Sequence, residues 1–395
     1  MKQHVRTLTT MVLISMLAAC ASPPAETADE PPANNTTSTQ KTNSDGFTRD
    51  IPPAFPDIKA GRSQATASGF TTADGALKPD IQAYAKEVAA SRDIPLTTVT
   101  RLLRQAQYNA KAAELMSPST TRIRPSWVTY RKRNVEPVRL KKGTRFWQQH
   151  DTLLEKAEEQ YGVPAAIIVA IIGIETIFGD YTGNFKVLDV LTTLGFRYPD
   201  PSRPERSQMF RNQLADLLLL HHEGKLDATH AKGSFAGAMG LPQFMPTSLR
   251  RFAVDADHSG DIDLLNSPAD AIFSVASFLR HHGWQPELPV FAPVELSAAA
   301  KRLSTGSIDA ELDWQTLQEK GARVRPGRDN PGAWQTAKLG VVDLVDEPRN
   351  TVEYRTGTPN FFAITHYNRS YFYAASVADL ASALAKRRGV PDHSE

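Results

Sequence analysis

The segment YGVPAAIIVAIIGIETIFG, residues 161–179, constrains the fold more than any other part of the sequence. Pro164 suits the first turn of a helix, and Gly179 suits a stop just past its end. Between them, residues 165–174 are apolar apart from one glycine. A helix that is apolar on every side is buried, because none of its faces meets water favourably. The segment is too short to cross a membrane. It therefore predicts a central helix surrounded by the rest of a domain.

Glu175 lies at the end of this apolar segment and is a carboxylate in an unfavourable place. Burial raises the pKa of a carboxyl group, and the negative end of the helix dipole raises it further. A glutamate that keeps its proton near pH 6 is a candidate general acid. A structural alternative stays open, in which Glu175 pairs with a buried arginine or caps a neighbouring backbone group.

The first twenty residues predict an export signal. A basic start is followed by an apolar stretch of about a dozen residues, 8–19, which is too short to span a bilayer. It ends in Leu-Ala-Ala-Cys, which resembles a bacterial lipobox whose cysteine, Cys20, is lipidated and becomes the new N-terminus. Ala21 follows, and by resemblance to enterobacterial sorting rules this favours the periplasmic face of the outer membrane. The alternative is a plain secretory peptide with an incidental cysteine.

The remaining sequence predicts a mainly α fold of the α+β class with several domains. Residues 21–44 contain no aromatic or large aliphatic side chain and cannot order themselves by burial. The predicted domains are a tether over 21–60, a helical domain over 61–160, a helical core over 161–285, a small β-rich domain over 286–356, and a C-terminal segment over 357–395 whose helix, 370–388, joins the helical domain. Residues 146–161 are predicted to form one amphipathic helix.

A glycine-rich motif, GSFAGAMGLPQFMPTS, covers residues 233–248. Its small residues let another group approach the backbone closely. Ser234 and Gln243 offer uncharged hydrogen-bonding groups within it. No Gly-Lys-Ser/Thr follows, so the motif does not complete a phosphate-binding loop. The alternative interpretation is close packing between helices.

The acidic segment DADHSGDIDLLN, residues 255–266, has the spacing of an EF-hand Ca²⁺ loop. The residues at loop positions one, three, five and seven are Asp255, Asp257, Ser259 and Asp261. A glycine stands at position six, where the loop turns sharply. Position twelve should be a bidentate glutamate and is Asn266, so one charge is lost. Asp270 supplies the missing carboxylate if the loop is longer. The alternative is an acidic turn between helices.

Several other functions are excluded by composition and spacing. The chain has 45 Lys and Arg against 43 Asp and Glu, a net charge of +2 that argues against nucleic-acid binding. The histidine pairs at 221–222 and 281–282 lack the spacing of a zinc site on a helix. Cys20 is the only cysteine, so no disulfide forms within the chain.

Four segments occur in the order IIGIETIFG, SFAGAMGLPQFMPTS, the acidic loop with PADAIFSVASFLRHHGW, and TPNFFAITHYNRSYFYA. Together they resemble the membrane-bound lytic murein transglycosylase B family from about Pro125 to the C-terminus. The resemblance implies a goose-type lysozyme-like core with an added helical domain and a small β domain. It implies cleavage of the β-1,4 bond between N-acetylmuramic acid and N-acetylglucosamine in peptidoglycan. The product ends in 1,6-anhydromuramic acid, because the muramyl O6 attacks in place of water.

The resemblance also implies roles for individual residues. Glu175 matches the catalytic acid/base. The residues that match the substrate cleft are Tyr130, Ser234, Gln243, Tyr367, Asn368 and Tyr373. The residues that match a structural Ca²⁺ site are Asp255, Asp257, Ser259 and Asp261, with Asp270 as the candidate last ligand. The ion is not needed for the chemistry. The sequence departs from the family at Phe278, where a tyrosine is frequent, and at Leu241-Pro242, where Tyr-Gly is common.

The chemistry expected from this resemblance needs one carboxylate. Ordinary glycosidases use two, and the nearby Asp180 and Asp189 have no role by resemblance. The expected partners are peptidoglycan strands and, through the lipid anchor, the outer membrane. Other cell-wall enzymes are candidate partners, no nucleic acid is expected, and the protein is expected to be a monomer. Two alternatives remain: a muramidase that uses water, which a second carboxylate across the cleft would favour, and a non-catalytic peptidoglycan-binding lipoprotein.

Overall fold

The structure is a computed structural model that describes residues 69–118, 122, 124–326 and 332–394. The predicted export signal with Cys20 and the predicted tether lie outside the described residues. Within the described part, most residues are helical and the strands are short, so the predicted mainly α class with small sheets is confirmed.

The helices before the glycine-rich motif are α1 (Pro79–Arg92), α2 (Leu96–Gln105), α3 (Ala110–Met116), α4 (Trp127–Asn134), α5 (Pro137–Gln149), α6 (Asp151–Tyr161), α7 (Ala165–Thr176), α8 (Val187–Phe196) and α9 (Pro204–His222). The helices after it are α10 (Pro246–Phe252), α11 (Pro268–His281), α12 (Ala298–Lys301), α13 (Trp314–Glu319), α14 (Pro359–Thr365) and α15 (Tyr371–Arg388). The strands are β1 (Phe185–Lys186), β2 (Lys232–Gly233), β3 (Phe291–Ala292), β4 (Val294–Glu295), β5 (Arg323–Val324), β6 (Gly340–Asp346) and β7 (Thr351–Gly357).

The prediction of a single helix over 146–161 is wrong. The chain leaves the helical conformation at His150, which has φ −122° and ψ 25° and separates α5 from α6. The imidazole of His150 stacks on Phe146 with the ring centroids 4.6 Å apart. Asp151 then begins the next helix, where a carboxylate interacts favourably with the positive end of the helix dipole.

Helix α7 lies at the centre of the fold, as its composition predicts. Every residue from Ala165 to Gly173 is buried. Helices α5, α6, α11 and α15 pack around it, so no side of α7 meets solvent along this stretch. The surrounding helices thereby satisfy the requirement that a uniformly apolar helix be enclosed.

The junction between α6 and α7 is a sharp bend. Gly162 ends α6 in the left-handed conformation with φ 65°, and a Cβ there would lie 2.4 Å from Cγ of Pro286. Pro164 then caps α7. No single helix in the described ranges is long and apolar enough to cross a membrane. Only α6 and α7 taken together reach that length and composition, and they are bent by 114° to each other.

Five of the seven strands lie near the predicted β-rich region. Strands β3, β7 and β6 form an antiparallel sheet in that order, with Val341 on β6 opposite Thr356 on β7. Strands β4 and β5 form an antiparallel pair beside them. Trp314 and Trp334 contact edge to face, 5.1 Å apart, inside a small hydrophobic cluster that this region builds for itself. Strands β1 and β2 pair elsewhere, next to the glycine-rich motif.

Hydrogen bonds and ion pairs connect the three-stranded sheet to α4 and α15. The carboxylate of Asp346 on β6 accepts hydrogen bonds from the Ser126 hydroxyl, at 3.1 Å, and the Val128 amide, at 2.9 Å. Arg355 on β7 donates to Asp379 on α15 at 2.6 Å, and Arg131 on α4 pairs with the same carboxylate. The sheet, α4 and α15 are therefore joined through charged groups.

Candidate active site

Glu175 is the last residue but one of α7 and lies where the central helix ends. Its Oε1 atom accepts a hydrogen bond of 2.6 Å from the hydroxyl of Tyr373 on α15. Part of its surface remains accessible, while protein surrounds the carboxyl group on most sides. The carboxyl group of Glu175 thus lies at the edge of the apolar core, where it is mostly enclosed but still accessible.

Burial raises the pKa of Glu175 from its ordinary value of 4.5 to about 7. The hydrogen bond from Tyr373 opposes this shift, because it stabilises the ionised carboxylate. The pKa shift caused by burial is the larger of the two. A carboxyl group with a pKa near 7 can both donate and accept a proton near neutral pH, so Glu175 is a candidate for acid and base chemistry.

The buried arginine beside α7 is Arg139, and its contacts do not include Glu175. Its Nε donates to the carbonyl of Gly173 at 3.1 Å, and its Nη1 donates to the carbonyl of Arg133 at 2.7 Å. Its carboxylate neighbour is Glu136, with Nη1 and Oε1 3.6 Å apart. Arg139 thus satisfies a carbonyl of α7 near its C-terminus, so the ion-pair alternative for Glu175 finds no support among the described contacts. Sequence reasoning did not identify this arginine.

Two further tyrosines face the charge of Glu175. Burial raises the pKa of Tyr130 to about 12, and the negative charge of Glu175 contributes. Burial, followed by the same charge, raises the pKa of Tyr367 well above its usual range. Tyr130 packs on Phe372, the residue before Tyr373, with ring centroids 5.6 Å apart. Tyr367 also stacks on Tyr373, with centroids 6.3 Å apart and planes 13° from parallel.

The three tyrosines come from three separate parts of the chain. Tyr130 is on α4, Tyr367 follows α14, and Tyr373 is in the first turn of α15. Tyr373 is only 2% exposed, and its hydroxyl is used by Glu175. It therefore supports the carboxyl group directly, whereas Tyr130 and Tyr367 are less buried.

Asn368 carries a polar atom with no partner in the described part of the chain. Its Oδ1 is buried and accepts no hydrogen bond. Leaving a buried acceptor unpaired costs about 1–3 kcal/mol. Asn368 directly follows Tyr367, so this oxygen lies beside the group formed by Tyr130, Tyr367 and Tyr373. A bound molecule with an N–H or O–H group could satisfy it there.

The chain makes an unusual turn immediately after Glu175. The predicted stop at Gly179 is late, since α7 ends at Thr176 and Ile177, Phe178 and Gly179 all have positive φ, of 52°, 58° and 96°. A β-branched residue seldom adopts this conformation. The Thr176 hydroxyl donates to the carbonyl of Leu241 at 3.1 Å and accepts from the Gly179 amide at 3.1 Å.

The ring of Phe178 accounts for the two glycines that face it. A Cβ at Gly173 would lie 2.5 Å from Cζ of Phe178, and one at Gly143 would lie 3.0 Å from the same atom. Phe178 also stacks on Phe146 at 5.3 Å. The ring is held between α5 and α7, and this packing offsets the strain of the turn.

The glycine-rich motif folds against this turn. A Cβ at Gly183 would lie 2.1 Å from the carbonyl oxygen of Gly233, so the two segments meet backbone to backbone. Gln243 has φ 51°, and its Nε2 donates to the carbonyls of Gly240, at 2.9 Å, and Thr182, at 3.2 Å. The Ser234 hydroxyl oxygen accepts from the Ala238 amide at 3.1 Å. Close packing and polar groups therefore occur together in this motif.

The two departures from the family pattern meet at Tyr367. Phe278, which is 5% exposed, packs edge to face on Tyr367 with centroids 4.7 Å apart. The carbonyl of Pro242 accepts the hydrogen bond of the Tyr367 hydroxyl at 2.6 Å. Phe278 supports the tyrosine by packing, and the Leu241-Pro242 step supplies a backbone acceptor.

The acidic loop brings three carboxylates together. One oxygen from each of Asp255, Asp257 and Asp270 lies within 4.8 Å of the others. Asp270 is fully buried and accepts hydrogen bonds from the amides of Ala256, at 2.9 Å, and Asp263, at 2.8 Å. These are oxygen ligands of the kind that Ca²⁺ prefers. The residues present therefore fit such an ion.

Other predicted ligands of the loop have different contacts. The Ser259 hydroxyl donates to the carbonyl of Asp261 at 3.1 Å, and the Asp261 carboxylate is not among the three grouped ones. Asn266, at the twelfth position, donates its side-chain amide to Asp263 at 2.9 Å. Asp270 rather than Asn266 thus brings a carboxylate to the cluster.

The two acids nearest to Glu175 in sequence are engaged elsewhere. Asp180 forms an ion pair with Lys142 on α5. Asp189 on α8 is 7% exposed and accepts a hydrogen bond from the Gln107 amide at 2.9 Å. Neither carboxylate is among the groups that shift the pKa of Glu175. A second acid acting opposite Glu175 is therefore not found among them.

The sequence is similar to known proteins over most of its length. Residues 76–382 match the family described as Transglycosylase SLT domain. The chain is 33% identical over 391 residues to "Membrane-bound lytic murein transglycosylase B" of Escherichia coli (strain K12). This alignment covers 97% of the chain and 98% of that relative.

Solved structures are also similar. The crystal structure of soluble lytic transglycosylase SltB1 from Pseudomonas aeruginosa matches with a TM-score of 0.70 and 37% identity, covering 79% of this chain and 100% of that one. The Escherichia coli lytic transglycosylase Slt35 in complex with calcium matches with a TM-score of 0.65 and 33% identity. That match covers 79% of this chain and 94% of the other.

The raised pKa of Glu175 predicts a pH-dependent cost to stability. The folded protein holds this proton up to about pH 7, whereas the unfolded chain releases it near 4.5. Stability therefore falls as the pH rises between these values. We expect Glu175→Gln to be more stable than the wild type at pH 8 by up to about 3 kcal/mol, and equal to it at pH 4. Urea unfolding at both pH values measures this.

The matched control is Glu114→Gln, because Glu114 is 68% exposed. This variant should differ from the wild type by less than about 0.5 kcal/mol at either pH. An equal stability of Glu175→Gln and the wild type at pH 8 would contradict the pKa argument.

Proposed function

The chain belongs to the Transglycosylase SLT domain family of lytic transglycosylases, as its sequence motifs predict, and on this basis we propose how its residues act on peptidoglycan. The enzyme is a lytic transglycosylase of peptidoglycan. The substrate bond is the β-1,4 bond between N-acetylmuramic acid and N-acetylglucosamine. Glu175 is the catalytic residue, and the observation that carries this assignment is its carboxyl group at the end of the apolar helix α7, with a pKa of about 7.

In the first half of the reaction Glu175 acts as a general acid. The protonated carboxyl group donates its proton to the glycosidic oxygen, and the bond between this oxygen and the anomeric carbon breaks. The N-acetylglucosamine end leaves as an alcohol. An oxocarbenium-like centre forms on the muramyl sugar, and the substrate's own N-acetyl group steadies it.

In the second half the same residue acts as a general base. The muramyl O6 attacks the anomeric carbon, and its proton passes to the Glu175 carboxylate. This closes the 1,6-anhydro ring and returns the acid to its starting form. No water is consumed, so the masses of the two products sum to the mass of the substrate.

The surroundings of Glu175 suit a residue that performs both steps. A pKa near neutral pH lets the acid give up its proton and take one back without a large penalty. The hydrogen bond from Tyr373 stabilises the carboxylate between the two steps. Asp180 and Asp189, which might have activated a water, are bound elsewhere.

The polar groups near Glu175 are proposed to hold the sugars. Tyr130 offers an aromatic ring and a hydroxyl group, and Tyr367 offers a ring that stacks on Tyr373 while its hydroxyl is held by the Pro242 carbonyl. The unpaired Oδ1 of Asn368 is an acceptor for a sugar N–H or O–H group. Ser234 and Gln243 offer polar groups on the glycine-rich motif. Together these groups would orient the muramyl O6 and exclude competing water.

A bound Ca²⁺ ion would be held by Asp255, Asp257 and Asp270, whose carboxylate oxygens already converge. The relative Slt35 has been solved in complex with calcium. The ion would neutralise the mutual repulsion of three carboxylates and hold the start of α11. It would take no part in bond cleavage, because its ligands belong to the acidic loop and the first turn of α11, and not to the tyrosines around Glu175.

The proposed location is the periplasmic face of the outer membrane. One relative is named as membrane-bound. The sequence before Cys20 supports lipidation of this cysteine, and two acyl chains are enough for stable anchoring. The segment from residue 21 to about residue 60 would then link the membrane to the folded part.

The reaction is tested by incubating the purified protein in detergent with peptidoglycan. The masses of the released muropeptides are then measured by mass spectrometry. We expect products that are lighter by one water than hydrolysed muropeptides. Glu175→Gln should abolish cleavage while binding to peptidoglycan persists, because the amide cannot donate the proton.

The other outcomes of this test point to other functions. Reducing-end products from the wild type would identify a hydrolase on the same fold. Binding without any product would identify a binding protein. Normal turnover by Glu175→Gln would remove Glu175 from the mechanism.

The metal site is tested by thermal unfolding. Ca²⁺ should raise the melting temperature, and a chelator should reverse the change. At a Ca²⁺ concentration 100 times the dissociation constant, the gain in the free energy of unfolding is about 2.7 kcal/mol. Asp257→Asn should remove most of this gain, because it removes one of the three converging carboxylates. An equal response to Ca²⁺ in the wild type and the variant would place the ion elsewhere.

The anchor is tested on protein isolated from bacterial membranes. The N-terminal peptide should begin at Cys20 and carry a diacylglyceryl group, because the lipobox places cleavage before the cysteine. Mass spectrometry of the tryptic peptides decides this. An unmodified cysteine would support the plain secretory alternative.

A further inference from the structure

The turn after Glu175 carries an exposed aromatic ring. Tyr181 is 44% exposed. Among the phenylalanine, tyrosine and tryptophan residues in the described ranges, it is the one whose exposure exceeds a third. The other large side chains that are exposed to this degree, such as Leu96 and Leu265, are not aromatic. An exposed aromatic ring beside a functional site is characteristic of ligand contact, because tyrosine combines a flat apolar face with a polar edge.

The backbone that carries Tyr181 is held in place. Its amide donates to the carbonyl of Thr176 at 3.0 Å, one residue after Glu175. The carbonyl of the next residue, Thr182, accepts from Gln243 at 3.2 Å. Gly183 then meets Gly233 backbone to backbone. The ring is therefore presented by a fixed segment, and a ligand that stacks on it would order little else.

The same hydrogen bonds locate the backbone of Tyr181 relative to the site. The turn joins the residue after Glu175 at one end and Gln243 at the other. A glycan strand bound over the carboxyl group and the glycine-rich motif is longer than the single bond that is cleaved. The surface around this turn, where Tyr181 is exposed, is within reach of the sugars next to that bond in such a strand.

The charges next to the ring favour an uncharged sugar over an ionic group. Asp180, the preceding residue, is paired with Lys142 on α5. The charge of Asp180 is therefore balanced by its partner, and the pair does not by itself attract a carboxylate of the peptide stem. The C–H groups on one face of a pyranose ring carry small positive charge, and the face of an aromatic ring is negative.

We propose that Tyr181 is a sugar-stacking residue that holds a pyranose ring of the glycan strand next to the bond at Glu175. The proposal rests on the proposed function, since the ligand is the glycan of that reaction. It adds to the cleft a binding residue that none of the sequence motifs indicated.

The test measures the affinity of the full-length protein in detergent for a peptide-free oligosaccharide of alternating N-acetylglucosamine and N-acetylmuramic acid. Calorimetry in the Glu175→Gln background avoids cleavage. We expect Tyr181→Ala to weaken binding about three- to tenfold, the range of a lost aromatic contact. Tyr181→Phe keeps the ring and should rescue binding to within about twofold of the parent. Leu96→Ala is the matched surface control, because Leu96 is 43% exposed on α2 and should leave the affinity unchanged.

Two results would overturn the proposal. One is an affinity of Tyr181→Ala equal to that of the parent. The other is an equal loss in Tyr181→Ala and Tyr181→Phe, which would assign the contact to the hydroxyl and not to the ring. A failure of the proposed function appears differently, as reducing-end products from the wild type, and the affinity comparison still decides the role of Tyr181.

Discussion

The exclusion of water from α7 is the constraint on which the rest of the structure depends. The isoleucines at 167, 168, 171 and 172 are fully enclosed by four other helices, and each such side chain contributes about 1.5–3 kcal/mol through burial. The same enclosure surrounds the carboxyl group of Glu175, which lies in the last turn of the helix. Desolvation raises the pKa of this group to about 7. The folding energy and the proton affinity of the carboxyl group proposed to be catalytic therefore have one physical cause, and a looser core would weaken both.

The surroundings of Glu175 are assembled from distant parts of the chain. Its hydrogen-bond partner, Tyr373, is 198 residues away and lies in the first turn of the C-terminal helix. Tyr130 reaches the site from α4, which is held by Asp346 of the small sheet and by the Asp379 carboxylate of α15. Arg355 on β7 bonds to that same carboxylate. The small β region therefore contributes to the site, because it holds α4, the helix that carries Tyr130.

Strain and close backbone contact meet in the turn after Glu175. Two non-glycine residues in the left-handed conformation cost about 1–3 kcal/mol each, and the ring of Phe178, packed between α5 and α7, offsets part of this. The hydroxyl of Thr176 ties the turn to the glycine-rich motif at Leu241. The glycines of that motif are required by distance, since a Cβ on Gly233 would lie 2.2 Å from a backbone oxygen. This turn therefore links Glu175, the proposed catalytic residue, to the surface that would hold the sugars.

The sequence by itself determined the features that depend only on residues close together in the chain. The apolar run predicts a buried central helix, the position of Glu175 predicts a raised pKa, and the spacing of the acidic loop predicts converging oxygens, because each depends on residues within one or two turns. Only the tertiary structure decided that Tyr373 bonds to Glu175, that Arg139 serves a backbone carbonyl, and that Asp270 completes the carboxylate cluster in place of Asn266. These contacts depend on how separate helices pack. Packing is set by the shapes of many side chains at once, and no local pattern records it.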